Sequence, residues 1–476
     1  MKKILFTMSA LALLVVTSVA LIPTEAEAIP VFARKYDMSC NACHTMFPKL
    51  SKMGVAFRER GFRFAEGKED LDMQSDGGKN VDTGDASPAA VFASNFPFTI
   101  RTQVLFSGAG PITDAADVPV MPGHRFGMLD GALVPDGAGN FTPNQKIGFG
   151  EFGMISSGSY DNLFWWLDAN TVGGIGMLEV GYYVNDLFKV RVGRVQNNVG
   201  YGMTMMSQRP LGFGTLDSAQ MTAATMLMMG DGISIHGTTN GDSGIGTYYN
   251  FSLFTYGKVP GEVTGNLPVN AAIAGKQSYG VYGRLAQEIN DNHIIGVFGY
   301  SAKNWVSDIL GGEAAMLMAM NMPVGAGGNG IDTATAMQFS TVTRYGVDFA
   351  INYGEPMQIF GAITLGKNKN PITGQSLKVR AATVVGEWNV TDSTLFGVKV
   401  DYSNSEYQMA NMRSVTPKRT VNLTAYALYQ VAQNVQAFAS VTRSSDIITS
   451  MTMGAGNTII NQTNFTTAVM GLDIAL

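Results

Sequence analysis

Apolar and polar positions alternate with period two over most of this chain, in runs of about ten residues separated by breaks. Phe98, Ile100, Val104 and Phe106 alternate with Thr99, Arg101 and Gln103. Phe188, Val190 and Val192 alternate with Lys189 and Arg191, Val347, Phe349 and Ile351 with Asp348, and Val398, Val400 and Tyr402 with Lys399 and Asp401. About sixteen such segments are predicted as strands, near 97–106, 147–157, 162–171, 176–184, 187–195, 231–239, 245–256, 277–289, 292–302, 339–353, 356–367, 377–389, 394–404, 419–431, 434–446 and 465–475. One face of each is apolar and the other polar, as lipid outside and a wet lumen inside would demand.

The breaks sort into two classes. Gly158 to Asp161, Asn185-Asp186, Asn240 to Gly244, Asn290-Asp291, Gly354-Glu355, Val390 to Ser393 and Ala432-Gln433 are short. Between them fall the longer 107–146, 196–230, 257–276, 303–338, 405–418 and 447–464, an intermediate 368–376 and one brief link at 172–175. Long–short alternation is the signature of an outer-membrane barrel, with short periplasmic turns and long external loops. A sandwich or a propeller has no reason to keep it. The fold class expected is mainly β: a transmembrane antiparallel β-barrel of about 16 strands over 96–476, preceded by a small helical segment.

Composition agrees. Charged residues are only 14% against about 25% in soluble domains, Gly numbers 56, and net charge is −5. Residues 29–68 are basic, with Arg34, Lys35, Lys49, Lys52, Arg58, Arg60, Arg63 and Lys68 against Asp37, Glu59 and Glu66, so the remainder is acidic. No stretch outside the N-terminus is apolar enough for a transmembrane helix. No phosphate-binding loop, nucleophile–base pair or nucleic-acid module is present.

Residues 1–28 read as a secretory signal: Lys2 and Lys3, an apolar run, then Ala26-Glu27-Ala28 as the cleavage site. The exported chain then contains Cys40-Asn41-Ala42-Cys43-His44, which uses both cysteines of the protein. The C-x-x-C-H spacing attaches one c-type haem: the thiols of Cys40 and Cys43 add to its vinyl groups, and His44 is the proximal iron ligand. A disulfide between the two cysteines would not need His44 beside it. Residues 29–68 thus form a monohaem segment, too small for a core of its own, and 69–95 a polar linker. Both ends of an even-stranded barrel lie on one side, which places the haem on the periplasmic side or inside the pore.

The distal ligand is open between Met53, which a bend at Pro48 could bring round, and His236, whose alternation with Ile233 and Ile235 turns it into the lumen. Leu50, Met53, Val55 and Phe57 are available to cover the porphyrin. Met-rich runs at 203–206, 226–229 and 316–322 suit apolar packing in external loops better than soft-metal binding. Arg101, Lys189, Arg191, Arg344, Lys378, Arg380 and Lys399 are expected to point inward.

Ile29-Pro30-Val31-Phe32-Ala33-Arg34, the haem motif, Phe47-Pro48-Lys49-Leu50 and Gly54-Val55-Ala56-Phe57 together resemble the fused monohaem cytochrome–porins of bacterial outer membranes, best known as iron oxidases. The chain departs from the iron-oxidase pattern at Lys35-Tyr36-Asp37. The resemblance implies an oxidoreductase in which extracellular Fe(II) gives an electron that passes to a periplasmic c-type cytochrome, with no protein acid or base as catalyst. Two other functions stay open: a conduit to or from another extracellular donor or acceptor, and a diffusion porin whose haem is not catalytic. Membrane lipid is a partner in all three, and nucleic acid in none.

Overall fold

The computed structural model describes residues 40–46, 49–62, 98–109, 134–135, 141–142, 146–160, 162–170, 174–196, 229–239, 246–256, 278–290, 292–305, 339–369, 376–407, 416–432, 435–453 and 457–475. The Met-rich runs and the expected signal and linker segments lie outside them, apart from Met229.

Two short helices come first, α1 (Cys40–Cys43) and α2 (Lys52–Glu59), joined by a two-stranded bridge in which His44 pairs with Leu50. Sixteen barrel strands follow, besides a small pair Val134–Pro135 and Phe141–Thr142: β1 (Phe98–Ala109), β2 (Lys146–Tyr160), β3 (Leu163–Asn170), β4 (Gly174–Asn185), β5 (Phe188–Gln196), β6 (Met229–Thr238), β7 (Thr247–Tyr256), β8 (Ser278–Ile289), β9 (His293–Trp305), β10 (Phe339–Ile351), β11 (Met357–Lys369), β12 (Ser376–Thr391), β13 (Thr394–Tyr407), β14 (Thr416–Ala432), β15 (Val435–Met453) and β16 (Asn457–Ala475). Each pairs antiparallel with its sequence neighbours, and β16 returns to β1, closing one barrel. Closure satisfies the backbone polar groups that lipid could not. All sixteen expected strands are present, and the barrel is that of a bacterial outer-membrane protein, immersed in lipid.

Alternation along each strand decides what faces lipid. Val180, Val192, Leu253, Leu285, Val297, Ile363, Val398 and Val441 all point outward and are exposed. Near the short-turn end Tyr182, Phe188, Trp388, Phe396 and Tyr429 are exposed too, forming the aromatic girdle that marks a membrane interface. A charge placed inside this belt should be expensive. Val400→Arg, deeper in the belt than Phe396, is expected to cost about 2–4 kcal/mol, read as a lower urea midpoint in lipid vesicles. A variant as stable as the parent would show that this face does not contact lipid.

The lumen face differs in kind. Arg101, Lys189, Arg191, Arg344 and Lys399 are buried and inward as expected. Lys378 and Arg380 are not: β12 turns Val379, Ala381 and Thr383 inward, leaving the two bases exposed on the outer surface. They lie toward the long-loop end, where an outward side chain meets lipid headgroups and water, and apolar alternation is no longer required.

A second difference is at 447–464. Instead of a long loop, β15 and β16 continue their ladder to Met453 and Asn457. Polar residues such as Asn461, Gln462 and Asn464 hide the strand pattern, because a hairpin projecting beyond the membrane has water on its outer face.

The seam between β1 and β16 holds an enclosed ion pair. Arg101 Nε donates to Asp473 Oδ1 at 2.9 Å and Nη2 to Oδ2 at 2.6 Å, a bidentate fork with Asp473 wholly buried.

Candidate functional site

The site is assembled from short-range rules. Ser51 is the N-cap of α2: its extended backbone (φ −70°, ψ 174°) lets Oγ accept from Gly54 N–H at 3.1 Å. The same hydroxyl donates to the Ala42 carbonyl at 3.1 Å, while Ser51 N–H donates to the Cys43 carbonyl at 2.8 Å. One residue therefore starts α2 and fastens it to the haem-motif helix α1.

Gly54 completes the junction. A Cβ there would stand 2.0 Å from the Cys43 carbonyl oxygen, so only glycine lets the helices approach this closely. Gly54→Ala is expected to push α2 off α1 at a cost of about 1–3 kcal/mol, and trypsin should cut faster at Arg58 and Arg60. An unchanged cleavage rate would mean that the junction tolerates the methyl group.

Helix α2 ends in a Schellman motif. Gly61 takes φ +70° and donates to Arg58 O at 2.9 Å, and Phe62 donates to Phe57 O at 2.9 Å. The hydrophobic contact that accompanies this geometry is Phe62 edge-on to Phe57, with centroids 6.1 Å apart. Gly61 after a basic turn is the residue type that such a helix end favours.

This small unit is held inside the short-turn end of the lumen. Val55 and Met46 pack with Tyr248, Tyr282, Ala286, Ile294 and Phe298 of the wall, and Leu50 packs against the same cluster. Phe57 and Phe62 pack on Phe164, with Trp166 stacked on Phe62 at 5.6 Å. Around this apolar contact runs a ring of polar ones. Arg60 Nε donates to Asp186 Oδ1 at 3.1 Å in the β4–β5 turn, Lys52 reaches Glu288 at 3.9 Å, Tyr353 Oη donates to Leu50 O at 3.1 Å, and Ser159 Oγ donates to Phe62 O at 3.3 Å. Burial alone would raise the Asp186 pKa, but Arg60 and the Tyr183 hydroxyl outweigh it and hold the carboxyl below its ordinary value. This tether is therefore at full strength above the usual carboxylate range and is lost only as pH falls through that depressed value.

The sequence candidates fall as follows. Cys43 and His44 are half-buried between α1 and the bridge; the side chain of Cys40 lies outside the described set. His236 does point into the lumen, 2% exposed, and its Nε2 stands 3.5 Å from Glu59 on α2. That contact occupies one ring nitrogen, while Nδ1 is buried with no hydrogen-bond partner among the described residues. Met53 is 36% exposed, next to the Gly54 contact with Cys43. Of the four side chains expected to cover a porphyrin, Val55 and Phe57 are instead spent on the wall and Leu50 is partly so; Met53 alone remains open. Met46 is 2% exposed within the wall cluster. The Arg60–Asp186 and Glu59–His236 pairs had no sequence signal, being contacts across more than a hundred residues. Among the described residues no group of three or more His, Cys, Asp or Glu side chains is placed to hold a metal ion.

A one-turn helix carrying Cys43, followed at once by His44, suits a c-type haem, and the open side chain of Met53 suits an apolar ring edge. The donor set fits the cofactor that the motif implies.

No family model and no curated protein matches the chain. Among solved structures it is similar to OmpT of Vibrio cholerae, at 10% identity over 80% of this chain and 97% of that one, with TM-score 0.47. It is similar also to an anion-selective porin from Comamonas acidovorans (10% identity, 80% and 100%, TM-score 0.44) and to OmpF of Salmonella typhi (10%, 79% and 97%, TM-score 0.42).

Proposed function

We propose that this porin-like barrel is a fused monohaem cytochrome–porin that moves electrons across the outer membrane. Cys40 and Cys43 would hold one c-type haem covalently and His44 would be its proximal ligand, with Met53 the favoured distal candidate over His236. The haem supplies reversible one-electron transfer; the protein supplies position, burial and access. One observation carries the reading: the C-x-x-C-H helix is bonded through Ser51 to α2, and α2 is fastened inside the short-turn, periplasmic mouth of the lumen. A haem there would be reachable from outside through the pore and from the periplasm by a carrier protein. The preferred substrate is extracellular Fe(II), the preferred acceptor a periplasmic c-type cytochrome.

The test is anaerobic addition of Fe(II) to the purified, oxidised protein in detergent. Appearance of the reduced haem bands at acid or neutral pH supports iron oxidation. Absence of reduction by Fe(II), with reduction by dithionite, would direct attention to another extracellular partner. Charged wall residues continue beyond the plugged end, Arg284–Asp348 and Lys399–Asp401 among them, which keeps a diffusion porin in view. Conductance of small solutes through the haem-loaded reconstituted barrel would favour that alternative.

A further inference from the structure

The wall facing α2 across β3 to β6 carries hydrogen-bond donors that the plug contacts do not use. Trp166 Nε1 and Arg191 Nε are both buried, and neither has a hydrogen-bond partner among the described residues. Above Trp166 lies the Arg58 guanidinium, 5.3 Å from the ring centroid, and the charges acting on it most strongly are Glu59, Glu179 and Arg191. Register explains the convergence. Trp166 lies opposite Glu179 on the neighbouring strand, and Arg191 returns across β4 to hold that same carboxylate through Nη1 at 3.4 Å. Its Nη2 donates to Ser234 Oγ at 3.3 Å, and Nε stays uncommitted.

Arg60 pairs with Asp186 and Lys52 with Glu288. Around Trp166 and His236 stand Arg58, Lys189 and Arg191 with Glu59 and Glu179, and Asp168 is buried two residues from Trp166 on the same strand face. Lys189, fully buried, donates to a backbone carbonyl, that of Asp186, at 2.7 Å. Two buried N–H donors left uncommitted beside the Arg58 guanidinium are costly unless an acceptor joins them.

We propose that Arg58 of α2, with Trp166 and Arg191 of the wall, forms an oxyanion site in the lumen that takes one carboxylate or phosphate group. An indole N–H and two guanidinium groups suit such a group, since charge-assisted N–H···O⁻ bonds are about twice as strong as neutral ones. Two sources share this chemistry. One is a propionate of a haem attached at Cys40 and Cys43, which rests on the function proposed above; the other is a free anion entering through the pore.

The test uses full-length protein purified in detergent, with inorganic phosphate as the probe. Arg58→Gln and Trp166→Phe keep side-chain volume, and a heat-modifiable gel band reports that each variant barrel has folded. If a propionate fills the site, phosphate gives no calorimetric binding signal, while both variants lower the haem midpoint potential, because a cation or donor that opposed the propionate's charge is lost. If the anion is free, phosphate binds with one-to-one stoichiometry to the parent and at least about tenfold more weakly to Arg58→Gln, the loss of a charged hydrogen bond. The proposal is overturned if phosphate does not bind and neither variant moves the potential, or if phosphate binds equally to parent and Arg58→Gln. A haemochrome assay run beside these measurements reports whether haem is attached at all, so failure of the cofactor assignment and failure of the anion site are read separately.

Discussion

Replacing Cys43 by Ser is expected to abolish covalent haem almost completely and leave the barrel folded. The reasoning separates two sources of stability. Attachment in a C-x-x-C-H motif needs both thiols, and this chain has two cysteines in all, so no other thiol can substitute. The barrel draws its stability from sixteen antiparallel pairings and a lipid-facing apolar surface, none of which includes residue 43. After denaturing electrophoresis the parent should carry haem-dependent peroxidase staining in its band, and Cys43→Ser should not. The heat-modifiable shift of the folded barrel should be equal in both. Haem retained at the parental level on the denatured variant would refute attachment through this motif, and with it the proposed electron transfer.

Asp473→Ala is expected to destabilise the barrel by about 3–5 kcal/mol, because it removes the bidentate carboxylate that faces the buried Arg101 at the seam. The cost belongs to the cation that loses this partner and not to the pair as such. Replacing both partners, Arg101→Met with Asp473→Leu, should therefore restore most of the loss, since apolar residues of similar volume can replace a buried ion pair at little cost. Urea midpoints of the parent, the single variant and the double variant, all in the same vesicles, measure this directly. A double variant as unstable as the single would show that the seam needs the ion pair's geometry itself. Arg101 and Asp473 are 372 residues apart and belong to the first and last strands. Their pairing is what barrel closure looks like at the level of two side chains.

How much was legible beforehand follows from the range of each interaction. The strand pattern was legible because each strand meets lipid on one side and lumen on the other, so each residue's environment is set by its parity alone. Ile235 and His236 illustrate it: one outward, one 2% exposed and inward, as alternation requires. The pattern failed where the environment changed. Arg380 points outward near the long-loop end, and the 447–464 segment continues as paired strand, because parity loses its apolar marker once a strand leaves the membrane. Helix α2 was half legible: a small helical segment was expected before the barrel, but the face that α2 buries could not be known without the surface it meets. Val55 and Phe57 looked equally suited to a porphyrin and to a barrel wall, and the wall takes them.

The haem expectation is local and rests on the order of residues alone. Cys40, Cys43 and His44 are neighbours, so their spacing predicts a haem whatever surrounds them, and strand alternation predicts a membrane barrel, which the structure contains. Where the motif sits relative to the pore is a different kind of fact. It depends on Arg60 meeting Asp186, Glu59 meeting His236 and Lys52 meeting Glu288, pairs brought together only when sixteen strands close and the short-turn mouth accepts α2. Spacing along the chain carries no record of such contacts, because loop closure can bring almost any two distant residues together at a cost that grows only slowly with length.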